Sequence, residues 1–538
     1  MKSALYYGDN LDVLRRYVDD NSVDLVYLDP PFKSDQDYNV LFREHDGTKA
    51  AAQILAFEDT WEWNLIAEQS CQEVIENGGR SSEVLRAFRT FLGNSDMMAY
   101  LAMMAPRLIE LRRVLKENGS IYLHCDPTAS HYLKMLMDAI FGAQFFRSEL
   151  IWKRTNTHSD SKRWSDVSDT ILYYGKNARV TWNPLYVAHS DEYIAAKYTK
   201  KDSDGRLYTL DNMTSPKPRP NMMYEWRGHG SPPCGWRYSV ETMTRLDGEG
   251  RIWYPKDKSK RPRLKRYLDE MSGVLMGNVW TDIFPINSQA QERLGYPTQK
   301  PQSLLERIIC ASSNEGDVIL DPFCGCGTAI EAAQKLNRRW VGIDITHLAV
   351  GLIKYRLQNA FGDTISDTYD VTGEPVCLQD AGQLAQDDTF QFQCWALGKV
   401  GARNSDSRRG ADRGIDGRSY FHDDMSGKSK QIVFSVKSGT HVMPSVVRDL
   451  RGVMEREGAE MGVLITMAKP TREMLREAAS AGFYSSAWGK HPRLQILTVG
   501  ELLSGKQINR PPTREIDPTF RKRIRSVEKI PEQIRLIK

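Results

Sequence analysis

Asp29-Pro30-Pro31-Phe32 follows an apolar run, residues 23–28 (VDLVYL), that reads as a short buried strand. Two successive prolines cannot continue a strand, because they lack the N–H groups a ladder needs. The tetrapeptide therefore falls at the strand's C-terminal end. A carboxylate, a rigid carbonyl and a flat ring at one point suit a particular task. An exocyclic amine on a nucleobase is a poor nucleophile, because its lone pair is delocalised into the ring. Acceptors at Asp29 and at the Pro30 carbonyl draw the nitrogen towards sp³ geometry and localise the pair, and proline rigidity fixes that carbonyl. Phe32 offers a face on which an extruded base can stack. The chemistry this permits is direct alkyl transfer to nitrogen, with no covalent enzyme intermediate.

A second constellation is Asp321-Pro322-Phe323-Cys324-Gly325-Cys326-Gly327-Thr328, then a helical stretch, then Val341-Gly342-Ile343-Asp344. It reads as strand, tight glycine turn, helix, strand and terminal acid. Glycines allow a ligand to approach the backbone closely. An acid ending the next strand can hold a ribose diol, as in dinucleotide folds. The loop spells F-x-G-x-G, not the G-x-G-x-x-G of dinucleotide-dependent oxidoreductases, and its shortness suits a ligand without a pyrophosphate. A glycine turn alone is often a mere connection; Asp321 and Asp344 together make it a binding loop. A third pattern lies further on. Gly414-Ile415-Asp416-Gly417 precedes an apolar run, Gln431–Lys437, in which Ser435 stands two residues before Lys437.

These residues need a scaffold, and the chain supplies an alternation of strands and helices. Residues 97–117 read as a helix stopped by Asn118-Gly119, residues 120–125 as a strand, 129–141 as a helix and 170–174 as a strand. The pattern resumes near 303 with a helix, then strands at 318–320 and 340–343 around a helix at 329–336. Such alternation predicts a mostly parallel α/β sheet. Between the two halves, residues 177–295 lose the alternation. There Tyr224, Trp226, Trp236, Tyr238, Trp253 and Tyr254 interleave with arginines and lysines, including the run KDKSKRPRLKR at 256–266. Cationic side chains at this density neutralise phosphates. The expected organisation is a catalytic half (1–176), an inserted recognition region (177–295), a cofactor half (296–360), a linker (361–385), a second α/β domain (386–510) and a basic tail (511–538).

Together, Asp29–Phe32 and Asp321–Asp344 resemble the β class of DNA amino-methyltransferases, in which the catalytic tetrapeptide precedes the cofactor loop. Tyr7-Gly8-Asp9-Asn10, Gly119–Asp126 (GSIYLHCD) and Tyr296-Pro297-Thr298-Gln299-Lys300-Pro301 also match, so the resemblance covers residues 1–176 and 296–358. It implies a Rossmann-like sheet in permuted motif order that binds S-adenosylmethionine. Asp321, Phe323, Gly325, Gly327 and Thr328 would cradle the methionine part, and Asp344 the ribose. Asp9 would lie near the adenine, and Thr298 and Lys300 near the carboxylate. Enzymes of this class with Asp at the first tetrapeptide position usually methylate adenine N6; cytosine N4 stays open as the alternative. Phe32 replaces the commoner tyrosine and loses only a hydroxyl. The region at 177–295 occupies the target-recognition place, so double-stranded DNA is the implied partner.

The C-terminal pattern resembles the PD-(D/E)xK nucleases, especially the Mrr-like restriction endonuclease branch. That resemblance assigns Asp416 to Mg²⁺ and Lys437 to water activation. Ser435 stands where an acid or glutamine is expected and is a weaker, neutral ligand. The domain is then either a fused nuclease or a non-cleaving DNA-binding module, which fits a restriction–modification or defence system. Partner subunits of such a system and a homodimer both remain open. With 538 residues, 41% hydrophobic and 26% charged, and a net charge of +4, the chain has an ordinary globular composition. Its eight cysteines are scattered without zinc-ligand spacing, and no stretch resembles a signal peptide or membrane span. The expectation is a cytoplasmic protein with reduced thiols.

Overall fold

The computed structural model describes residues 2–31, 63–157, 164–287, 290, 292–294, 296, 298–404, 414–421, 430–439 and 441–511. Phe32, Pro297 and nearly all of the basic tail lie outside the described residues. The first half lays down β1 (Ser3–Tyr7), β2 (Val23–Leu28), β3 (Leu115–Cys125), β4 (Phe146–Lys153) and β5 (Ser168–Gly175). Every residue of β2 is buried, as its unbroken apolar run requires. From Leu25 to Leu28 side chains alternate between its two faces, after a register irregularity between Val23 and Leu25. Val23, Val26 and Leu28 pack towards the helices Asn10–Tyr17 and Asp96–Val114. Leu25 and Tyr27 pack towards the helices that follow residue 301.

One helix boundary departs from expectation. The helix predicted to run to 117 ends at Val114, and Asn118-Gly119 lies inside β3 instead of stopping a helix. The reason is a close approach between strands. A Cβ on Gly119 would come within 2.8 Å of the Leu115 side chain and 3.1 Å of the Asp24 carbonyl oxygen on β2. Here glycine serves packing, not helix termination.

Residues Pro184–Gly277 form a unit of their own. It carries β6 (Tyr186–Val187), β7 (Lys200–Lys201), β8 (Leu207–Asn212), β9 (Ile252–Trp253), β10 (Arg263–Tyr267) and β11 (Val274–Leu275). Strands β7-β8-β10-β9 form an antiparallel sheet, and β6 pairs with β11. The aromatic residues singled out from the sequence mainly build this unit's core. Trp226 and Trp236 are buried with Met213, Met243, Ile252 and Leu264, and Tyr224, Tyr238 and Tyr254 pack around them. The Trp236 indole N–H donates to the Tyr224 carbonyl at 2.8 Å, and that of Trp226 to the Tyr254 hydroxyl at 3.0 Å.

The chain then returns with β12 (Val279–Trp280), β13 (Val318–Asp321), β14 (Arg339–Asp344) and β15 (Tyr369–Thr372). Together with β1–β5 they form one nine-stranded sheet, ordered β12-β4-β5-β3-β2-β13-β14-β1-β15. Only β5 runs antiparallel to its neighbours. The expected linker, 361–385, is structured: β15 pairs with β1, and Leu378–Asp387 is a helix. Tyr369 explains why an acidic stretch orders, since its ring is buried 5.2 Å from that of Trp340.

A second sheet, β16-β17-β18-β19-β22, comprises β16 (Arg403–Asn404), β17 (Gly417–Phe421), β18 (Lys430–Lys437), β19 (Met461–Thr466) and β22 (Leu494–Thr498). A small hairpin, β20 (Phe483–Ser486) with β21 (Gly489–Pro492), stands beside it. Ile432, Phe434 and Val436 face the helix Thr389–Lys399, while Val433 faces the helix Pro444–Glu457.

Candidate active site and the methylase family

Four adjacent parallel strands deliver a carboxylate at or just past their C-terminal ends: Asp29 after β2, Asp321 on β13, Asp344 on β14 and Asp9 after β1. In open α/β sheets this edge is where ligands bind. The two sequence constellations, nearly 300 residues apart, thus meet because β2 and β13 are neighbours, with Leu320 opposite Val26.

Asp29 is half-buried on a buried Pro30, and its Oδ2 accepts from Lys300 Nζ at 2.5 Å. Lys300 precedes the helix Gln302–Ser312, so the segment expected near the cofactor's carboxylate presses its cation on Asp29. Thr298 is half-buried in the same turn, which the Gln299 N–H closes onto the Tyr296 carbonyl at 3.2 Å. Asp321 is buried, which pushes its carboxyl well above the usual range despite the N–H of Phe323; Asp29 and Asp344 nearby add to the rise.

The glycine loop is shaped as a close-approach turn. Gly325 has φ +47° and Gly327 φ +77°, both in the region that disfavours a side chain. A Cβ on Gly325 would lie 3.1 Å from the Tyr296 ring, and one on Gly327 2.7 Å from Ile353. Asp344 Oδ2 accepts the Gly325 N–H, and its Oδ1 accepts both the N–H and the hydroxyl of Thr346, all at 2.9 Å. Burial raises the Asp344 carboxyl to about 6 against these bonds. Thr328 is buried, and its hydroxyl accepts from Arg356 at 3.0 Å; Phe323 is half-buried against the core.

Several residues at this site were given no role by the sequence alone. Arg107 is buried on the helix Asp96–Val114 and donates to Asp9 Oδ2 and Asn10 Oδ1, each at 2.6 Å. Asn10 in turn donates to the Pro322 carbonyl at 2.8 Å, which ties the start of the chain to the glycine loop. Asp9 also caps its helix, its Oδ1 accepting the Leu11 N–H at 2.8 Å. Beneath Asp29, the Tyr27 hydroxyl lies 3.0 Å from His124 Nδ1, and His124 Nε2 lies 3.0 Å from Asp169 Oδ2. Burial works to raise Asp169, but His124, Arg154 and Lys300 hold it below the usual carboxylate range. An arginine in an apolar helix and a histidine in an apolar strand were the available signals, since such buried polar groups demand partners.

In the second sheet the structure brings Asp416 beside Ser435. Asp416 Oδ2 accepts the Val436 N–H at 2.6 Å and the Ser435 hydroxyl at 3.2 Å. Lys437 follows on the same strand face as Ser435. Among the described residues no group of three or more His, Cys, Asp or Glu could hold a metal ion. Among the described residues, one carboxylate already occupied by a backbone donor, plus a neutral hydroxyl, does not fit the Mg²⁺ site expected at Asp416. All eight cysteines are free thiols, with Cys324 and Cys326 buried in the loop. Among the described residues no helix is long and apolar enough to cross a membrane.

A mostly parallel sheet with a glycine loop, a strand-terminal acid and a prolyl turn on one edge defines a Rossmann-like methyltransferase fold. Residues 23–354 match the N6/N4 methyltransferase family, described as DNA methylase, and the chain belongs to that family. It is 29% identical over 357 residues to the type II methyltransferase M.EcaI of Enterobacter cloacae, covering 66% of this chain and 69% of that protein. It is 28% identical over 350 residues to the StyLTI Mod subunit, from a type III restriction-modification enzyme of Salmonella typhimurium LT2. That match covers 61% of this chain and about half, 49%, of the subunit. The solved PvuII DNA methyltransferase (cytosine-N4-specific) aligns at 12% identity over 69% of this chain and 95% of its own, with a TM-score of 0.33, too low to argue from. Residues 390–504 match a group described as NACHT-associated inactive restriction endonuclease 1. That supports a nuclease-like C-terminal domain, though not specifically the Mrr-like branch.

Proposed function

We propose that this chain methylates N6 of adenine in double-stranded DNA, as the modification component of a restriction–modification or defence system. The observation that carries the reading is Asp29, held by Lys300 at the end of β2, in the same crevice as the glycine loop. S-adenosylmethionine fits that loop: Gly325 and Gly327 leave the backbone bare, and Asp344 ends the next strand. When bound, it supplies an electrophilic methyl group on a sulfonium. Asp321 through Thr328 would hold its methionine part and Asp344 its ribose. Asp29 and the Pro30 carbonyl accept from the amine and localise its lone pair. As the nitrogen gains its new bond it must shed a proton, and the Asp29 carboxylate is the acceptor at hand. The match to type II and type III methyltransferases supports a restriction–modification setting. Residues 184–277, with their exposed cations, would contact the duplex.

The test is methyl transfer from labelled S-adenosylmethionine to unmethylated duplex DNA, followed by nucleoside analysis. N6-methyladenine is expected. N4-methylcytosine would move the assignment to the other base, and an unlabelled product would refute it.

The C-terminal domain is proposed not to cleave. Its support is the backbone-bonded Asp416, with no group of three or more possible metal ligands among the described residues, and the match to an inactive group. Duplex DNA incubated with the protein and Mg²⁺ should stay intact. Fragmentation abolished by Asp416→Ala would show an active nuclease.

A further inference from the structure

A nuclease fold that does not cut needs another reason to sit on a methylase, and the contact between the two gives one. The helix His347–Phe361 begins three residues after Asp344, and the helix Thr389–Lys399 opens the match to the nuclease-like group. The two helices cross where glycine faces glycine: a Cβ on Gly351 would lie 3.8 Å from Gly398 Cα. Glu374 links them electrostatically, 2.6 Å from Lys354 of the first helix and 3.6 Å from Lys399 of the second. Gly373 beside it presses on the end of β1, where a Cβ would come within 2.2 Å of the Tyr7 carbonyl oxygen.

At the head of this contact, buried Gln391 Oε1 accepts the His347 N–H at 2.8 Å. The donor is a backbone N–H, so only the amide oxygen can be its partner. His347 is the first residue of its helix, and its N–H is one of the donors a helix cannot satisfy internally. Thr346, which caps the same helix, spends its own N–H and hydroxyl on Asp344 Oδ1. The His347 ring is buried and stacks on Tyr7 at 3.7 Å, 12° from parallel. Burial first, and then Asp388, which caps the Gln391 helix, raises the Tyr7 hydroxyl. Asp344, Thr346, His347 and Gln391 thus form one connected series from the glycine loop into the nuclease-like domain.

We propose that Gln391 is a positioning residue for the methylase's cofactor site, and that the nuclease-like domain acts as a buttress fixing the Asp344–His347 corner. This rests on reading Asp344 as the ribose acceptor. This role asks no contact of the domain with methyl donor or base. The domain holds the start of the helix against which Asp344 is set, so the free energy of the domain contact and of cofactor binding are coupled, and the coupling is reciprocal.

The experiment uses the full chain and measures S-adenosylmethionine binding by calorimetry. Gln391→Met removes the acceptor at similar volume, Gln391→Glu keeps an acceptor at the same reach, and Asp344→Asn serves as the reference. Gln391→Met should weaken binding roughly fivefold, the scale of a lost helix cap. It should raise KM for the donor while kcat at saturation and DNA affinity stay within about twofold of wild type. Gln391→Glu should restore binding. Hydrogen exchange at the His347 amide should speed up in Gln391→Met while β18 and β19 stay protected, which separates a loosened corner from an unfolded domain. Wild-type affinity in Gln391→Met alongside lost affinity in Asp344→Asn would overturn this inference alone. Unchanged affinity in Asp344→Asn would overturn the site reading, and this inference with it. Loss of β18 and β19 protection in Gln391→Met would also overturn it, since the residue would then serve only folding.

Discussion

The pairing of Asp29 with Lys300 gives the site its electrostatic character. Without its lysine, the carboxylate would stand beside Asp321 in a crevice with more acids than bases. Asp29→Ala should cut methyl transfer by about a thousandfold, within the range of a lost acid–base group. Binding of S-adenosylmethionine should survive, because the proposed role sets Asp29 against the amine and not the donor; parallel turnover and calorimetry check both. Loss of binding would place Asp29 in the cofactor site instead. Asp344 predicts a pH dependence. Burial raises it from 3.8 to about 6, so the folded chain holds that proton more tightly than the unfolded chain. Its stabilising contribution is full below about pH 4 and is lost as pH rises through 6. In its proposed role Asp344 accepts from a ribose diol, which favours the ionised form, so cofactor affinity should rise as pH climbs through about 6. Asp344→Asn should flatten that rise, which titration calorimetry at several pH values would show.

Among the elements, the glycine turn was the most legible, because bare backbone at positive φ leaves few residue choices. Gly327→Ala should cost about 1–3 kcal/mol, since alanine must adopt φ +77° with its Cβ 2.7 Å from Ile353. Thermal melts would check this, and an unchanged midpoint would show that the turn relaxes freely. Gly119 was read wrongly for the opposite reason. Asn-Gly is a good helix stop in isolation, but here glycine lets β3 approach β2, a demand that comes from a strand some 90 residues earlier. β15 was missed because its four residues are only half apolar, and its order comes from pairing with β1 at the far end of the chain.

For the whole molecule, the basic run at 256–266 divides once its neighbours are seen. Lys265 and Arg266 pair with Asp202 and Asp211, and Lys258 donates to the Arg227 carbonyl; Lys256, Lys258, Lys260 and Arg261 are exposed, as is Arg263. Replacing Lys256, Lys258, Lys260 and Arg261 by glutamine should weaken duplex binding and lower its salt slope by up to about four. Neutralising Lys265 should instead disturb the sheet, and an unchanged salt slope in the fourfold variant would take the run out of the interface. The sequence by itself determined the class of chemistry, because the prolyl turn and the glycine loop are local motifs whose residue types are set by what must touch them. It also determined the alternating scaffold, since hydrophobic period reports burial directly. Only the tertiary structure decided that Lys300 faces Asp29, that Arg107 and Asn10 lock the glycine loop, that the insertion's aromatics face inward, and that a nuclease-like domain abuts the Asp344–His347 corner. Each of those is a contact between residues distant in the chain, and local composition carries no record of which distant partner a side chain will meet.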